Sequence, residues 1–110
     1  MNWYKLLKQS QQNIGYRVMT LNEQGQTLDG FPLQAGSVHR KPGGLYLSLD
    51  PNYVIEYYSH GSDDPEDPQE VLGKYRFDPS QIMSGNLTDN QTEFTVPFAE
   101  LVDFRYLHDR

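Results

Sequence analysis

Three residues of this chain have side chains suited to a charged, phosphorylated ligand, and each lies in a stretch that reads as a strand. Arg17 sits in Gly-Tyr-Arg-Val, Ser48 ends Leu-Tyr-Leu-Ser, and Glu93 sits in Gln-Thr-Glu-Phe-Thr-Val-Pro. Arginine is a planar fork that can grip a diphosphate through paired hydrogen bonds. A hydroxyl at a strand end can hold and orient a polar ligand. A fixed carboxylate stabilises positive charge that develops as a bond breaks. All three residue types are also common on solvated strand faces, so their meaning depends on what the fold brings together.

The positioning elements follow from pattern and punctuation. Residues 2–12 place Trp3, Leu6 and Leu7 at helical spacing and predict a short N-terminal helix, residues 1–12 preceding an α+β core over 13–107. Ile14 to Leu21 alternates Ile14, Tyr16 and Val18 against Gly15, Arg17 and Met19, which predicts a strand with the Ile14 side inward. A turn at Asn22–Gly25, a weak strand towards Phe31 and a short strand at 37–40 precede the strand 45–48. Asp50 and Pro51 then read as the cap and first residue of a helix over 51–59, packing Val54, Tyr57 and Tyr58 inward. Val71, Gly73, Tyr75 and Phe77 share one face of the next strand, and Asp78-Pro79 opens a short helical turn. Strands at 92–96 and 101–107, linked around Pro97, complete the chain. Gln91, Glu93 and Thr95 form one face of the first of these, and Ser48 shares a face with Tyr46.

A length of 110 residues predicts one domain with one core. Only 36 % of residues are hydrophobic, but the eight Tyr and five Phe can close a small core with few side chains. A net charge of −6 argues against a general nucleic-acid surface or an anionic membrane as partner. The absence of Cys excludes a disulfide framework, Cys-ligated zinc and a thiol nucleophile. No apolar run reaches membrane-spanning length, and residues 1–12 lack the apolar core of a secretory signal, so the expected location is the cytoplasm.

The ordered patches Tyr16-Arg17, Leu45-Tyr46-Leu47-Ser48 and Gln91-Thr92-Glu93-Phe94-Thr95-Val96-Pro97 resemble the three motifs of ADP-ribosyltransferases of the Arg-Ser-Glu type, the cholera-toxin-like and C3-like enzymes. The resemblance spans roughly residues 14 to 107. It implies a strand-dominated α+β fold of two packed sheets and an NAD-dependent mono-ADP-ribosyltransferase acting on an unknown macromolecular or small-molecule acceptor. Glu93 would be catalytic, stabilising the ribose cation formed when the nicotinamide–ribose bond breaks. Arg17 would bind NAD phosphate or the adjoining ribose, Tyr16, Tyr46 and Ser48 would complete the NAD site, and Gln91 would position the acceptor. The second motif carries Tyr-Leu-Ser where the family has Ser-Thr-Ser, so two hydroxyls are missing.

Other groupings carry less. Asp63, Asp64, Glu66 and Asp67 are interrupted by Pro65 and followed by Pro68, without the ligand spacing or central glycine of a calcium loop, and read as a solvated loop. His39, His60 and His108 are too widely spaced for a local zinc motif. Arg40-Lys41 beside Gly43-Gly44 could touch a phosphate, yet no helix follows as a P-loop requires. The alternative class is a non-enzymatic interaction domain, such as a phage or bacterial accessory or anti-defence protein, working through its acidic surface and aromatic patches.

Overall fold

The computed structural model describes residues 13–60, 66–84 and 93–107, and the helix expected over residues 1–12 lies outside them. Among these residues four antiparallel strands and one α-helix follow in the order β1 (Ile14–Thr20), β2 (Val38–Ser48), α1 (Pro51–Tyr58), β3 (Glu70–Arg76) and β4 (Glu93–Tyr106). A 3₁₀ turn, Pro79–Gln81, lies between β3 and β4 and is capped by Asp78, as the Asp-Pro pair predicts. The chain is therefore strand-dominated, as expected. In place of two packed sheets, however, the strands form one sheet closed into a barrel in the order β1-β2-β4-β3.

Closure of so narrow a barrel needs local bending, and the sequence supplies it at two irregularities. In the first, Lys41 to Gly44 of β2 stand opposite Pro97 of β4, between the pairs Arg40–Phe98 and Leu45–Val96. Proline has no N–H to give to a ladder, and the bulge places it where no ladder bond is required. Gly43 and Gly44 take φ values of +87° and +101°, and a Cβ on Gly44 would lie 2.9 Å from that of Thr95. This bulge explains why the expected strands 37–40 and 45–48 are one strand, and why β4 runs unbroken through Pro97. The second irregularity falls between Lys74 and Tyr75, where β3 pairs with β4.

The barrel interior is filled by Leu45, Leu47, Val71, Tyr75, Phe94, Val96 and Leu101, all essentially inaccessible to water. Each such side chain contributes about 1.5–3 kcal/mol on burial. On β3 the expected face is inward: Val71, Gly73, Tyr75 and Phe77 are all buried. On β1 the parity is the reverse of the expected one. Gly15 and Met19 are buried, while Ile14, Tyr16 and Val18 are half-exposed on the outer face. The reason is room, because a Cβ on Gly15 would come within 3.1 Å of Leu47 and 3.4 Å of Phe94. The bulkier Ile14, Tyr16 and Val18 cannot take that position.

Helix α1 packs on β1. The Asp50 side chain accepts the Asn52 N–H at 2.9 Å, and Pro51 occupies the first turn. Val54 is buried, as expected, but Tyr57 is 68 % exposed and stacks on Tyr53 with ring centroids 4.6 Å apart. An eight-residue helix on a narrow convex barrel buries one residue well and leaves the flanking rings to solvent.

Candidate functional site

Strand register brings the three motifs into a row. Tyr16 of β1 lies opposite Ser48 of β2, and Ser48 lies opposite Glu93 of β4. β1 otherwise pairs with β3 along its whole length, and among the described residues Tyr16–Ser48 is the one pair that joins it to β2. Beyond that pair the two strands part. A cavity of about 210 Å³ opens there, lined by Arg17, Val18, Lys41, Tyr46, Val54, Tyr58 and Glu93.

Glu93 and Arg17 reach this cavity by different routes. Glu93 starts β4 on its outer face, opposite Ser48, and accepts a hydrogen bond from the Tyr58 hydroxyl of α1. Burial raises the Tyr58 pKa well above the ordinary phenol value, and the Glu93 hydrogen bond and charge raise it further. Arg17 has the inward parity of Gly15 and Met19 and lies opposite Gly73, not on the less apolar outer face expected for it. Its side chain is only 11 % exposed, and Nη2 donates to Asp29 Oδ2 at 2.9 Å. Its Nε is buried and has no hydrogen-bond partner among the described residues. Lys41 Nζ, from the β2 bulge, lies 3.4 Å from the other oxygen of the same carboxylate. Burial works to raise the Asp29 pKa, but the Arg17 hydrogen bond and charge, with the Lys41 charge, hold it below the ordinary carboxylate value.

Two of the remaining candidates support the site from behind. Ser48 is wholly buried and its Oγ accepts the Asp50 N–H at 3.2 Å, so it braces the turn from β2 into α1. Tyr16 sits beside it on β1, half-buried, and is not part of the cavity wall. Tyr46, by contrast, is 51 % exposed and lines the cavity. Gln91 lies outside the described residues.

Asp29 and the Glu93 contact of Tyr58 escape the sequence, and Lys41 reads there only as a residue that could touch a phosphate. Asp29 and Lys41 come from irregular backbone, where no periodicity assigns a direction; the cations beside Gly43-Gly44 were the available signal for Lys41. Tyr58 reads as an inward helical residue, but it is 47 % exposed and turned to Glu93.

The arrangement is bipolar. A carboxylate among tyrosine rings holds one part of the wall, and two cations sharing one aspartate hold another. A ligand with a positively charged or polarised group and an oxyanion matches both. A wider depression of about 840 Å³ beyond the end of β1 is lined in part by Glu23, Glu66 and Asp67, which disfavour an anion. Among the described residues no group of three or more His, Asp or Glu could hold a metal ion, and no helix is long and apolar enough to cross a membrane. No family model matches the chain, and no curated protein or solved structure matches it either.

Proposed function

We propose that the cavity binds the nicotinamide-ribose end of NAD and that the chain is a small mono-ADP-ribosyltransferase. One observation carries this reading: Glu93 with Tyr46 and Tyr58, and Arg17 with Lys41, line the same cavity. The nicotinamide of NAD is a cationic ring and its ribose is followed by phosphate, so the ligand has the same bipolar character as the wall. Sites for whole ligands typically measure ~300–1,000 Å³. At about 210 Å³ this one takes the nicotinamide-ribose end and leaves the adenosine end on the open surface.

Chemically, the nicotinamide–ribose C–N bond breaks and its electron pair leaves with the nicotinamide, neutralising the ring. The positive charge left on the ribose is stabilised by the Glu93 carboxylate at close range. The acceptor's nucleophile then bonds to the ribose carbon and releases its proton. Arg17 and Lys41 hold the phosphate, and Ser48 keeps β2 and α1 in place behind the site.

The test is incubation with labelled NAD, following nicotinamide release and label transfer to a cell extract. Glu93→Gln is expected to lower both by roughly 10²–10³-fold in a protein that is still folded by circular dichroism. Absence of NAD binding in calorimetry would overturn the reading and leave an acidic interaction domain in its place.

A further inference from the structure

The Arg17–Asp29–Lys41 group holds more positive charge than its own carboxylate neutralises. Asp29 gives one oxygen to Arg17 at 2.9 Å and the other to Lys41 at 3.4 Å, as two oxygens of a phosphate would be divided between two cations. Two cations around one anion leave a local surplus of +1 in a chain whose net charge is −6. The buried, unpartnered Nε of Arg17 adds a donor that Asp29 does not engage. Leaving a nearly buried guanidinium without an anion is strongly unfavourable. Its site therefore favours an oxyanion, whether its own or one from a ligand.

Asp29 is mounted as a replaceable occupant. It lies in the Thr27–Gly30 turn of the β1–β2 connection, between Leu28, which is 68 % exposed, and Gly30, whose φ is +81°. The base of this loop is tied independently of the ion pairs. Leu28 N–H donates to Thr20 O, Gly30 N–H to Thr27 O, and Phe31 N–H to the Thr27 hydroxyl. Asp29 itself reaches the barrel through Arg17 and Lys41, so its carboxylate can leave while the loop base stays anchored. Lys41, half-exposed on a glycine-rich bulge, is free to follow an incoming anion.

We propose that Asp29 holds the place of a phosphate: Arg17 and Lys41 form an oxyanion subsite for the diphosphate of a bound nucleotide, and the Asp29 carboxylate on its anchored turn is a tethered competitor that the ligand displaces. The proposal rests on the nucleotide reading of the same cavity, but the subsite takes inorganic pyrophosphate whether or not Glu93 catalyses anything. The tether sets a threshold: an anion with one charge gains little over Asp29, while a diphosphate gains from both cations and from Nε.

The experiment is calorimetric titration of the full chain with inorganic pyrophosphate. Asp29→Asn removes the competitor's charge but keeps an oxygen for Arg17, and is expected to tighten binding about tenfold. Lys41→Gln is expected to weaken it about tenfold. In the unaltered chain, pyrophosphate binding should release the Asp29 carboxylate from Arg17 and Lys41, read as a shift of its side-chain carboxyl carbon resonance, while amide exchange at Leu28 and Gly30 stays as it was. Equal or weaker binding by a folded Asp29→Asn, or unchanged affinity in Lys41→Gln, overturns the subsite; an unmoved Asp29 carboxyl resonance overturns the displacement. The Lys41 arm and the resonance readout leave Asp29 unaltered, so the proposal remains testable if Asp29→Asn does not fold. Pyrophosphate binding in this pattern without NAD cleavage would sink the transferase reading alone. NAD cleavage with pyrophosphate affinity indifferent to both variants would sink the subsite alone.

Discussion

Along one edge β1 is zipped to β3 from Ile14 to Thr20, and along the other it meets β2 at Tyr16–Ser48 and then parts around Arg17, Asp29 and Lys41. The zipped side is backed by a buried interior into which polar rings are also fitted. His39 bonds the Tyr75 hydroxyl at 2.7 Å and the Pro32 carbonyl at 2.8 Å, and its ring stacks on Phe31. The parted side keeps a carboxylate, two cations and two partly exposed tyrosines around a cavity. A closed sheet has no free edge, so a small barrel can bind a ligand between strands only where it leaves a seam unpaired. The cost of that seam is offset by the closed wall opposite.

The largest test of this division is stability. Phe94 is buried and packs on Phe77 with ring centroids 4.8 Å apart. Phe94→Ala is expected to cost about 3–5 kcal/mol in chemical denaturation. Tyr46→Ala at the seam removes a comparable ring that is half in water, and is expected to cost less than about 1 kcal/mol. Equal losses would mean that the seam is part of the core, and the contrast between the two sides would collapse.

The closed wall was largely legible in the sequence, and the seam only partly. Period-two alternation assigns Val71, Tyr75 and Phe77 inward because on β3 a buried face and an apolar face coincide. The cap at Asp50 and the proline after it place the start of α1 at its observed first residue, because both act locally. Alternation misleads on β1, where the inward face carries a glycine that admits Leu47 and Phe94 and an arginine that escapes through the gap. An apolar count takes Gly15 and Arg17 for the outer face. Closure into a barrel depends on the register shift opposite Pro97, a relation between residues some fifty positions apart that no window along the chain can contain. The row Tyr16–Ser48–Glu93, like the contacts of Asp29 and Tyr58, arises only through the closed fold.

A smaller effect separates the two sides by pH. Burial lowers the His39 pKa, the Pro32 hydrogen bond raises it, and the nearby Arg17 charge lowers it again, leaving it below the ordinary value. The groups facing it are the Tyr75 hydroxyl, the Ser37 hydroxyl, the Pro32 carbonyl and the Arg17 charge. In the unfolded chain His39 takes up a proton near pH 6.5, while in the folded chain it does so at lower pH. The unfolded state therefore binds more protons in that interval, and stability falls as pH drops below about 6.5, by at most about 1.4 kcal/mol per pH unit. Asp29, whose pKa is lowered, acts in a separate window below the ordinary carboxylate value. Denaturation at pH 7.5 and 5.5 should show a loss of stability at the lower pH that shrinks in His39→Gln. An equal loss in that variant would remove His39 from the account of the closed side.

The finest distinction lies between two tyrosines. Tyr75 and Tyr58 both have raised pKa values, but for different reasons. For Tyr75 burial dominates, and the Arg17 charge works against it. For Tyr58 burial comes first and the Glu93 hydrogen bond and charge add to it. Followed by ultraviolet absorbance, the Tyr58 and Tyr75 phenols should ionise later than a free tyrosine. Glu93→Gln removes a negative charge from the seam alone, so one late phenol should move towards the ordinary value and the other should stay. The accompanying change in folding stability at neutral pH should be within about 1 kcal/mol, since the bond is partly exposed. If both phenols move, the seam and the closed interior share one electrostatic environment. If neither moves, Tyr58 does not hold Glu93 in solution, and the carboxylate is free to turn away from the cavity on which the proposed chemistry depends.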